Sequence, residues 1–377
     1  MIQSLSNRVS YPSLEKHVYL NQASLGLISN ITIKKMNNFL HGVARHGNIH
    51  MSDQDELDLL QSMRIDAAQL FNCEPRQIAV LASASEMLSQ IPYVLKPKAK
   101  SSILMVQSDF PAVTRPWLKY AQDNDCQILF VKETKENDLT DQILREIKEN
   151  ISVIQVSLVQ FSSGAKIDIK RLGKETKRCG IKLIVDITQA AGALPIMVKD
   201  WDADILITSG YKWLGGHGGV GLAYISDEIL DYPPFTVGWM SAPNPFVMNS
   251  TECAFELDAR SYTQSTMSYI SIVGLQNSLR EIIRLEPNQI ERHAKSLFNL
   301  LLDGLRGTKW KPKLNQIETC NSPHIVSIEN SIDDLDESLQ KLKKNGIICS
   351  SRTGRIRISL AHYNNQNDVV RLIESLS

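Results

Sequence analysis

Short apolar runs alternate with amphipathic segments through the first two thirds of the chain, and this rhythm constrains the fold more than any other feature. The apolar runs predict β-strands at residues 77–82, 102–106, 127–131, 152–159, 182–186, 204–208 and 220–225. Helical patterns lie between several of them, at residues 85–95, 114–124, 139–149 and 169–179. This alternation favours a mostly parallel sheet with helices on both faces. In such a sheet, ligands bind near the carboxyl ends of the strands.

The rhythm changes after about Pro245. A long helical pattern covers residues 268–305 and is interrupted near Glu286 and Pro287. Short strand patterns at 324–328, 347–350 and 355–360 follow, with helical patterns at 333–344 and 366–375. This order is typical of a smaller α+β domain. We therefore predict an N-terminal segment over residues 1–20 that packs with the small domain, a large α/β domain over 21–250, and a small domain over 251–377.

Charge and cysteine content narrow the class of protein. Among the 377 residues, 41 are Lys or Arg and 41 are Asp or Glu, so the formal net charge is zero. The net charge therefore gives no reason to expect binding to nucleic acid or to a membrane surface. No apolar run approaches the roughly 20 residues that span a bilayer, and the N-terminus lacks a secretory pattern. The six cysteines form no C-x-x-C pair, which favours reduced thiols over disulfides or a metal site. We expect a cytoplasmic protein without a metal.

The most informative stretch is VDITQAAGALPI followed by DADILITSGYKWLGGHGGVGLAYI. It predicts one buried strand that ends at Asp186 and a second that ends just before Lys212. Two strands thus bring a carboxylate and an amine to the same edge of the sheet. Pyridoxal 5′-phosphate (PLP) needs both, because its aldehyde forms a Schiff base with a lysine and its ring nitrogen stays protonated beside a carboxylate. The glycines that follow, Gly215, Gly216, Gly218 and Gly219, allow a tight turn beside the cofactor.

Each of these residues has an ordinary alternative. A single Asp at a strand end is more often a helix cap or turn residue, a single loop Lys is usually solvated, and clustered glycines usually mark a turn. Their order, and their positions after successive buried strands, make coincidence a poor explanation. We therefore interpret Lys212 and Asp186 as the catalytic pair of a PLP enzyme.

The same stretch resembles the signature of class V aminotransferases, the cysteine desulfurase-like group of fold-type I PLP enzymes. Members share an Asp-x-x-Gln strand end, then Ser-x-x-Lys, then a glycine-rich turn. The resemblance extends from about Tyr19 to the C-terminus. It implies the PLP-dependent transferase fold and a homodimer with active sites at the interface.

The resemblance implies which residues contact the phosphate of the cofactor. LASASEML resembles the phosphate-binding turn, in which Ala84 and Ser85 begin a helix whose N–H groups attract an anion. Ser209 and Tyr211 match family positions that contact the phosphate, and Thr266 matches one that reaches the phosphate of the neighbouring subunit. Without the resemblance, Ser85 would be interpreted as a helix N-cap.

The resemblance also implies which residues lie beside the pyridine ring of the cofactor. Phe110, in SDFPAVTRPW, matches the residue that stacks on the pyridine ring, although an isolated Phe is otherwise more often core. Gln189 matches the residue near the 3′ oxygen. Gln160 is the polar residue of SLVQFSSG most suited to face the site.

The resemblance implies that segments near both ends of the chain contact the substrate. YLNQASLG at residues 19–26, which contains Asn21, resembles the segment that borders the substrate pocket. Arg357, in GRIRISLAHYNNQNDV, matches the arginine that binds the substrate carboxylate through two parallel hydrogen bonds. Without the resemblance, Arg357 would be interpreted as an outward-facing strand residue. For Arg352 and Arg355, the sequence leaves open whether the side chain lies at the surface or beside the pocket.

The chain departs from cysteine desulfurases near this arginine. Their mobile loop carries a cysteine that accepts sulfur, but here Arg352-Thr353-Gly354 runs almost directly into Arg357. Cys349 precedes that segment in a predicted strand and is interpreted as a small buried residue. The Phe110-Pro111 pair also replaces the stacking histidine of those enzymes and is closer to kynureninase-like and epimerase-like relatives.

These features predict an enzyme that removes the α-proton of an amino acid by means of Lys212. Loss of a β-substituent would give lyase chemistry, including C–S cleavage; return of the proton to the cofactor would give transamination; return on the opposite face would give epimerisation. We favour the lyase, with an aminotransferase close behind. A non-catalytic scaffold of the same fold is a further hypothesis, but a scaffold needs none of Asp186, Gln189 and Lys212.

Overall fold

The computed structural model describes residues 1–134, 136–315, 317–330 and 334–376. Within them, the strands are β1 (Val18–Tyr19), β2 (Ile78–Leu81), β3 (Ser102–Val106), β4 (Gln127–Val131), β5 (Ile151–Ser157), β6 (Lys182–Asp186), β7 (Ile205–Ser209), β8 (Gly221–Ile225), β9 (Lys311–Pro312), β10 (Ile325–Glu329), β11 (Ile347–Ile348), β12 (Ser350–Arg352) and β13 (Arg355–Ser359). The α-helices are α1 (Asn30–His46), α2 (Asp53–Phe71), α3 (Ala84–Leu95), α4 (Pro111–Asp123), α5 (Leu139–Arg145), α6 (Ile169–Cys179), α7 (Val198–Trp201), α8 (Asp227–Leu230), α9 (Tyr269–Leu285), α10 (Pro287–Leu305), α11 (Leu335–Lys344) and α12 (Gln366–Leu376).

The central sheet has the strand order β2-β8-β7-β6-β5-β3-β4 in the described chain. Its strands are parallel except β8, which is antiparallel to both β2 and β7. Successive residues of β6 enter different cores: Leu183 and Val185 pack on one face of the sheet and Ile184 on the other. A strand buried on both faces needs a continuous apolar sequence, which is why the pattern predicted these strands well. The mostly parallel α/β architecture is confirmed.

A smaller C-terminal unit contains the antiparallel sheet β12-β13-β10-β9 and helices α10, α11 and α12. The N-terminal segment joins it, because β1 pairs in parallel with β11. Val18 and Leu20 are buried in the same apolar cluster as residues of α10 and α12. The small α+β C-terminal domain is thus present, while the boundaries at 20 and 250 stay predictions.

The structure differs from the sequence-based elements in a few places. Helices α1 and α2 were not predicted, although Ser52 and Asp55 form a capping box at the start of α2 that marks a helix N-terminus. The strand predicted over 347–350 is two strands, because β11 and β12 join different sheets. The predicted break between α9 and α10 is confirmed at Glu286, which has a positive φ of 59°. Asp333, the predicted start of α11, lies outside the described residues.

Two features are absent from the described residues. No helix in that part of the chain is both long and apolar enough to cross a membrane. Nor do His, Cys, Asp and Glu gather there in any group of three or more that would suit a metal ion.

Candidate active site

Two neighbouring parallel strands of the central sheet end at the residues with the candidate chemistry. β6 ends at Asp186, and β7 ends at Ser209, shortly before Lys212. The strands pair in register, with Asp186 opposite Ile207. Lys212 is only 7% exposed and Asp186 only 6%. The carboxylate and the amine therefore lie buried at the same carboxyl edge of the sheet.

Lys212 and Asp186 influence each other electrostatically. Burial lowers the pKa of the Lys212 amine to about 8, the charge of Asp186 opposes this shift, and the charges of Arg357 and Arg352 add to it. Burial raises the pKa of Asp186, while hydrogen bonds from Thr188 and attraction to Lys212 lower it. The two groups thus face one buried region. An amine with a lowered pKa is partly neutral near pH 7 and can attack an aldehyde.

Asp186 is also a turn residue. Its Oδ1 accepts a hydrogen bond from the backbone nitrogen of Thr188 at 2.7 Å. Thr188 in turn accepts a bond from the backbone nitrogen of Ser209 at 3.2 Å, which fixes the end of β7 relative to the end of β6. The turn that the alternative interpretation assigned to Asp186 therefore exists. It orients the carboxylate rather than competing with a role in binding.

An aromatic ring lies close to the Lys212 amine. Nζ of Lys212 is 5.3 Å from the centroid of the Phe110 ring and 5.6 Å from that of Tyr211. Phe110 precedes α4, which begins with Pro111, so the proline ring fixes the start of the helix. The Phe110 ring meets Phe161 edge to face at 5.4 Å and is 39% exposed. The ring is therefore held by this contact while part of its surface stays exposed.

Behind Phe110 lies Asp109, a buried carboxylate that the sequence analysis did not identify. Its oxygens accept hydrogen bonds from the backbone nitrogen of Phe110 at 2.7 Å, from the nitrogen and hydroxyl of Ser157 at 2.7 and 2.5 Å, and from Gln160 at 3.3 Å. Burial raises the pKa of Asp109 to about 6, the hydrogen bonds lower it, and the charge of Asp186 raises it slightly. Asp109 thus links the end of β5 to the aromatic residue. The only signal in the sequence is an acid placed directly before Phe110.

Gln160 is completely buried beside this carboxylate. Its amide nitrogen bonds to Asp109, but its Oε1 has no hydrogen-bond partner among the described residues. A buried polar atom without a partner costs free energy, so such an atom is a candidate for ligand contact. The structure therefore leaves Gln160 able to accept one hydrogen bond at the site.

The start of α3 forms the candidate phosphate end. Gly221 of β8 lies opposite both Leu81 at the end of β2 and Ser209 at the end of β7. Ala84, at the beginning of α3, follows Leu81 closely, so Ala84 and Ser209 meet around Gly221. A Cβ on Gly221 would lie 2.8 Å from the backbone nitrogen of Ala84. The absence of a side chain there keeps the helix start accessible.

Ser85 does not cap α3, which corrects the alternative interpretation. The cap is Ser83, whose hydroxyl accepts a hydrogen bond from the nitrogen of Glu86 at 3.1 Å. Ser85 is exposed in the first turn of the helix. Because a helix leaves its first N–H groups without intrahelical partners, Ala84 and Ser85 keep donors for an anion. The side chain of Ser85 is available as a further donor.

Gln189 has structural partners on both ends of its amide. Its nitrogen donates to the carbonyl of Ala23 at 3.1 Å, and its oxygen accepts from the indole of Trp213 at 2.8 Å. Its backbone carbonyl also accepts from His324 at 2.6 Å. Gln189 therefore ties the N-terminal segment to the residue after Lys212, and one amide hydrogen is left for a ligand.

Residues 21–26 lie against the backbone of Lys212. The amide of Gln22 donates to the Lys212 carbonyl at 2.9 Å, and the nitrogen of Gly26 donates to the Tyr211 carbonyl at 2.9 Å. A Cβ on Gly26 would overlap the Lys212 carbonyl oxygen. Asn21 is half-buried, and its Oδ1 has no partner in the described part of the chain. This segment thus forms one side of the lysine pocket.

Arg357 is 1% exposed, so the interpretation of it as an outward-facing strand residue is wrong. Its Nη1 donates to the Phe161 carbonyl at 2.8 Å and its Nη2 to Ser24 Oγ at 2.5 Å. Burial, with a smaller contribution from Arg352, lowers the pKa of its guanidinium to about 9. It points inward because its neighbours on β13, Ile356 and Ile358, occupy the opposite face of the strand, in the C-terminal core.

The structure distinguishes the surroundings of the two neighbouring arginines, Arg352 and Arg355. Arg352 donates to the same Ser24 hydroxyl at 2.9 Å, so it belongs to the pocket. Arg355 pairs with Glu329 at 3.0 Å, away from Ser24. Ser24 was not identified from the sequence, because its partners come from the other end of the chain.

Thr266, the predicted contact to the phosphate of a neighbouring subunit, is exposed on the surface of the single chain. Its role in cofactor binding stays a prediction.

The groups around Lys212 fit PLP. Lys212 supplies an amine for the aldehyde, Asp186 a carboxylate for the ring nitrogen, and Phe110 an aromatic surface. The start of α3 supplies donors for the phosphate. Buried polar atoms without partners among the described residues, Gln160 Oε1 and Arg357 Nε, add contacts that the protein itself leaves unmade.

Comparison with known proteins gives a consistent result. Residues 18–372 match the family described as aminotransferase class-V. The chain is 23% identical over 372 residues to the uncharacterized aminotransferase YcbU of Bacillus subtilis strain 168, covering 98% of this chain and 96% of that protein. It is 25% identical over 383 residues to a kynureninase of Bacillus mycoides strain KBAB4, covering 96% and 88%.

A solved structure shows the same fold. The cystine C–S lyase C-DES, in complex with its product cysteine persulfide, superposes with a TM-score of 0.89. Its sequence identity is 18%, and the match covers 97% of this chain and 98% of that one. Over nearly its whole length, the chain therefore has the architecture of a fold-type I PLP enzyme.

Proposed function

This chain belongs to the class V aminotransferase family, and from that premise we propose that it is an amino-acid lyase that holds PLP on Lys212 and eliminates a β-substituent. The family is PLP-dependent and enzymatic. The observation that carries the proposal is the buried pair of Lys212 and Asp186, in which the pKa of the amine is lowered and the carboxylate lies at the neighbouring strand end.

The bound cofactor supplies an electron sink for the bond broken at Cα. Lys212 removes the α-proton, for which a pKa of about 8 is close to the working pH. Asp186 holds a proton on the ring nitrogen, because a nearby carboxylate favours the protonated form. Arg357 binds and orients the substrate carboxylate through two parallel hydrogen bonds.

Two observations favour elimination without a sulfur-accepting cysteine. Burial raises the pKa of the Cys349 thiol to about 12, so it is not a thiolate at neutral pH. Cys349 also packs against the C-terminal core, whereas its neighbour Ser350 contacts Arg357. The structural likeness to a cystine C–S lyase supports the same reaction. Aminotransferase is the second candidate, favoured by the similarity to YcbU over 98% of the chain.

We also propose a homodimer with shared sites. Helix α1 buries only Thr32 completely, and it exposes apolar side chains such as Leu40, which is 51% exposed. A second exposed apolar stretch includes Val247 and Leu257 and precedes the exposed Thr266. Large apolar surfaces of this kind usually meet a partner. Sedimentation analysis that gave only a monomer at working concentrations would contradict this proposal.

The test of cofactor attachment uses borohydride reduction of the purified holoenzyme, followed by peptide mass spectrometry. The cofactor should be fixed covalently on Lys212 and on no other lysine. Lys212→Ala should abolish both attachment and turnover, whereas Lys199→Ala, at an exposed position, should change neither. Retained turnover in Lys212→Ala would discard the mechanism.

The reaction is tested by incubation of the holoenzyme with a panel of amino acids and identification of the products. Pyruvate and ammonia together with a released β-group would support the lyase. Net transfer of the amino group to a 2-oxo acid would replace that proposal with the aminotransferase. Inversion of the substrate without other change would replace it with an epimerase.

A further inference from the structure

Arg352 and Arg357 converge on one oxygen atom. Nη2 of Arg352 and Nη2 of Arg357 donate to Ser24 Oγ at 2.9 and 2.5 Å. The two residues lie on neighbouring strands of a hairpin, β12 and β13, so the turn between them brings two like charges together. Two guanidinium groups directed at one small hydroxyl repel each other, and this arrangement needs a compensating negative charge.

Within the described residues, no carboxylate supplies that charge. Neither Arg352 nor Arg357 forms an ion pair there, whereas Arg355 on the same hairpin pairs with Glu329 at 3.0 Å. Arg357 is almost fully buried, and its Nε has no partner in that part of the chain. Buried charge without compensation destabilises a fold, so such a pair is retained for an anionic ligand.

The pair faces the reactive amine. Ser24, which both arginines contact, belongs to the segment 21–26, whose Gln22 and Gly26 donate to the backbone carbonyls of Lys212 and Tyr211 at 2.9 Å. In keeping with this position, the charges of both arginines lower the pKa of Lys212. An anion that bridges them therefore lies beside the lysine. The candidate phosphate site lies elsewhere, at the start of α3 beside the ends of β2 and β7. An anion at the two arginines is therefore a group of the substrate.

Arg357 alone can bind one carboxylate in full. The edge formed by its Nε and Nη2 matches both oxygens of a carboxylate. Nε has no partner among the described residues, whereas Nη2 donates to Ser24 and, at 3.3 Å, to Ser350, so a carboxylate would replace the longer bond to Ser350. If the α-carboxylate takes that edge, Arg352 still carries a positive charge without an acid. A second acidic group, separated from the first by few bonds, would neutralise it, since the two Nη2 atoms share a single neighbour.

We propose, on the basis of the function proposed above, that the substrate is an amino acid with a short anionic β-substituent, which leaves with the bonding electrons of Cβ. Aspartate has a similar size and charge but no such leaving group, so it serves as a binding analogue of that substrate. Arg357 binds the α-carboxylate, and Arg352 binds the side-chain acid. Ser24 keeps the two guanidinium groups in place. Arg352 is then the residue that determines substrate specificity.

The test compares diacids with matched monoacids on the holoenzyme. Succinate and propionate lack an amine, so calorimetric titration with them reports on the arginines independently of the chemistry at Lys212. Aspartate and asparagine form the corresponding amino-acid pair, followed by the change in cofactor absorbance. The wild type should bind each diacid at least roughly tenfold more tightly than its partner, as expected for a charge-assisted hydrogen bond.

Three variants test whether Arg352 is the source of the preference for diacids. Arg352→Gln should abolish the preference for diacids and leave the binding of propionate and asparagine within about twofold. Arg352→Lys keeps the charge and should keep part of the preference, which guards against a loss through misfolding. Arg355→Gln, on the same hairpin but paired with Glu329, should behave as the wild type.

Two results would overturn the inference. Equal binding of diacids and monoacids by the wild type would show that no second acid is recognised. Equal weakening of both classes in Arg352→Gln would show that the arginines share a single carboxylate. Borohydride attachment of the cofactor at Lys212, measured on the same preparations, separates these results from failure of the proposed function, which would show no attachment at all.

Discussion

A Cβ on Gly221 would lie 2.8 Å from the backbone nitrogen of Ala84, closer than a real Cβ approaches any heavy atom. The same Cβ would lie 2.9 Å from the carbonyl carbon of Ser83, so the conflict is with backbone and cannot be relieved by a change of rotamer. Gly221 is therefore required for β8 to pass beside the start of α3. Its lack of a side chain keeps the first N–H groups of that helix in reach of an anion.

We expect Gly221→Ala to weaken PLP binding roughly tenfold or more, because displacement of the helix start removes charge-assisted hydrogen bonds to the phosphate. The measurement is a titration of cofactor-free protein with PLP. Gly180→Ala, at the C-cap of α6, is the control, since its Cβ meets no atom within 4 Å and the residue is not part of the glycine turn beside Lys212. Unchanged affinity in Gly221→Ala would contradict the placement of the phosphate at α3.

The pH dependence of cofactor capture should report the lowered pKa of Lys212. The neutral amine is the nucleophile, so the rate should rise with pH and level off above about 8 rather than near 10.5. Stopped-flow absorbance after PLP is mixed with cofactor-free protein measures this rate. In Asp186→Asn the opposing attraction is lost, so the rate should level off at a lower pH. A wild-type rate that still climbs through pH 10 would disagree with the burial of this amine.

The central strands and the catalytic pair were predictable because they depend on local patterns. β3 and β6 are buried on both faces, so each contains an uninterrupted apolar run that ends at a change to polar residues. Asp186 and Lys212 follow such ends directly. Helix α1 was not predicted. It buries only Thr32 completely and exposes apolar residues such as Leu40, so its apolar residues do not mark a face that is buried within the single chain.

The substrate side of the site could not be predicted in the same way. Ser24 and Arg357 are hydrogen-bonded although 333 positions separate them in the sequence. Which face of β13 is buried depends on how the N-terminal segment packs beside it, and no local pattern encodes that. Asp109 was missed for a related reason: its partners Ser157 and Gln160 belong to a different strand end.

Asp109 should make a measurable contribution to the pH dependence of stability. Its pKa is raised from 3.8 to about 6, so the folded protein binds a proton that the unfolded chain releases between these values. The contribution of this carboxyl to the free energy of unfolding is therefore largest below about pH 4 and falls as the pH rises to about 6.

We expect the stability of the wild type relative to Asp109→Asn to fall by up to roughly 3 kcal/mol across this window. Urea unfolding of both proteins at several pH values measures the difference. The variant should also weaken cofactor binding, since Asn cannot accept all the bonds that hold Phe110 and Ser157. Asp66→Asn, at a largely buried acid on α2 that pairs with Arg280 at 2.7 Å, serves as the control for loss of a charge. A pH-independent difference would mean that folding does not raise the pKa of Asp109.

Cys349 should be dispensable for turnover. Its thiol is buried in the C-terminal core with a pKa of about 12, on the face of the hairpin opposite the Ser350 hydroxyl that contacts Arg357. We expect Cys349→Ala to keep turnover within about twofold and to lower the free energy of unfolding by about 1 kcal/mol, through loss of packing. Cys253→Ala, at an exposed position, should change neither quantity. Steady-state kinetics and urea unfolding provide both measurements, and loss of turnover in Cys349→Ala at normal cofactor content would assign this thiol a chemical role and contradict elimination without a sulfur-accepting cysteine.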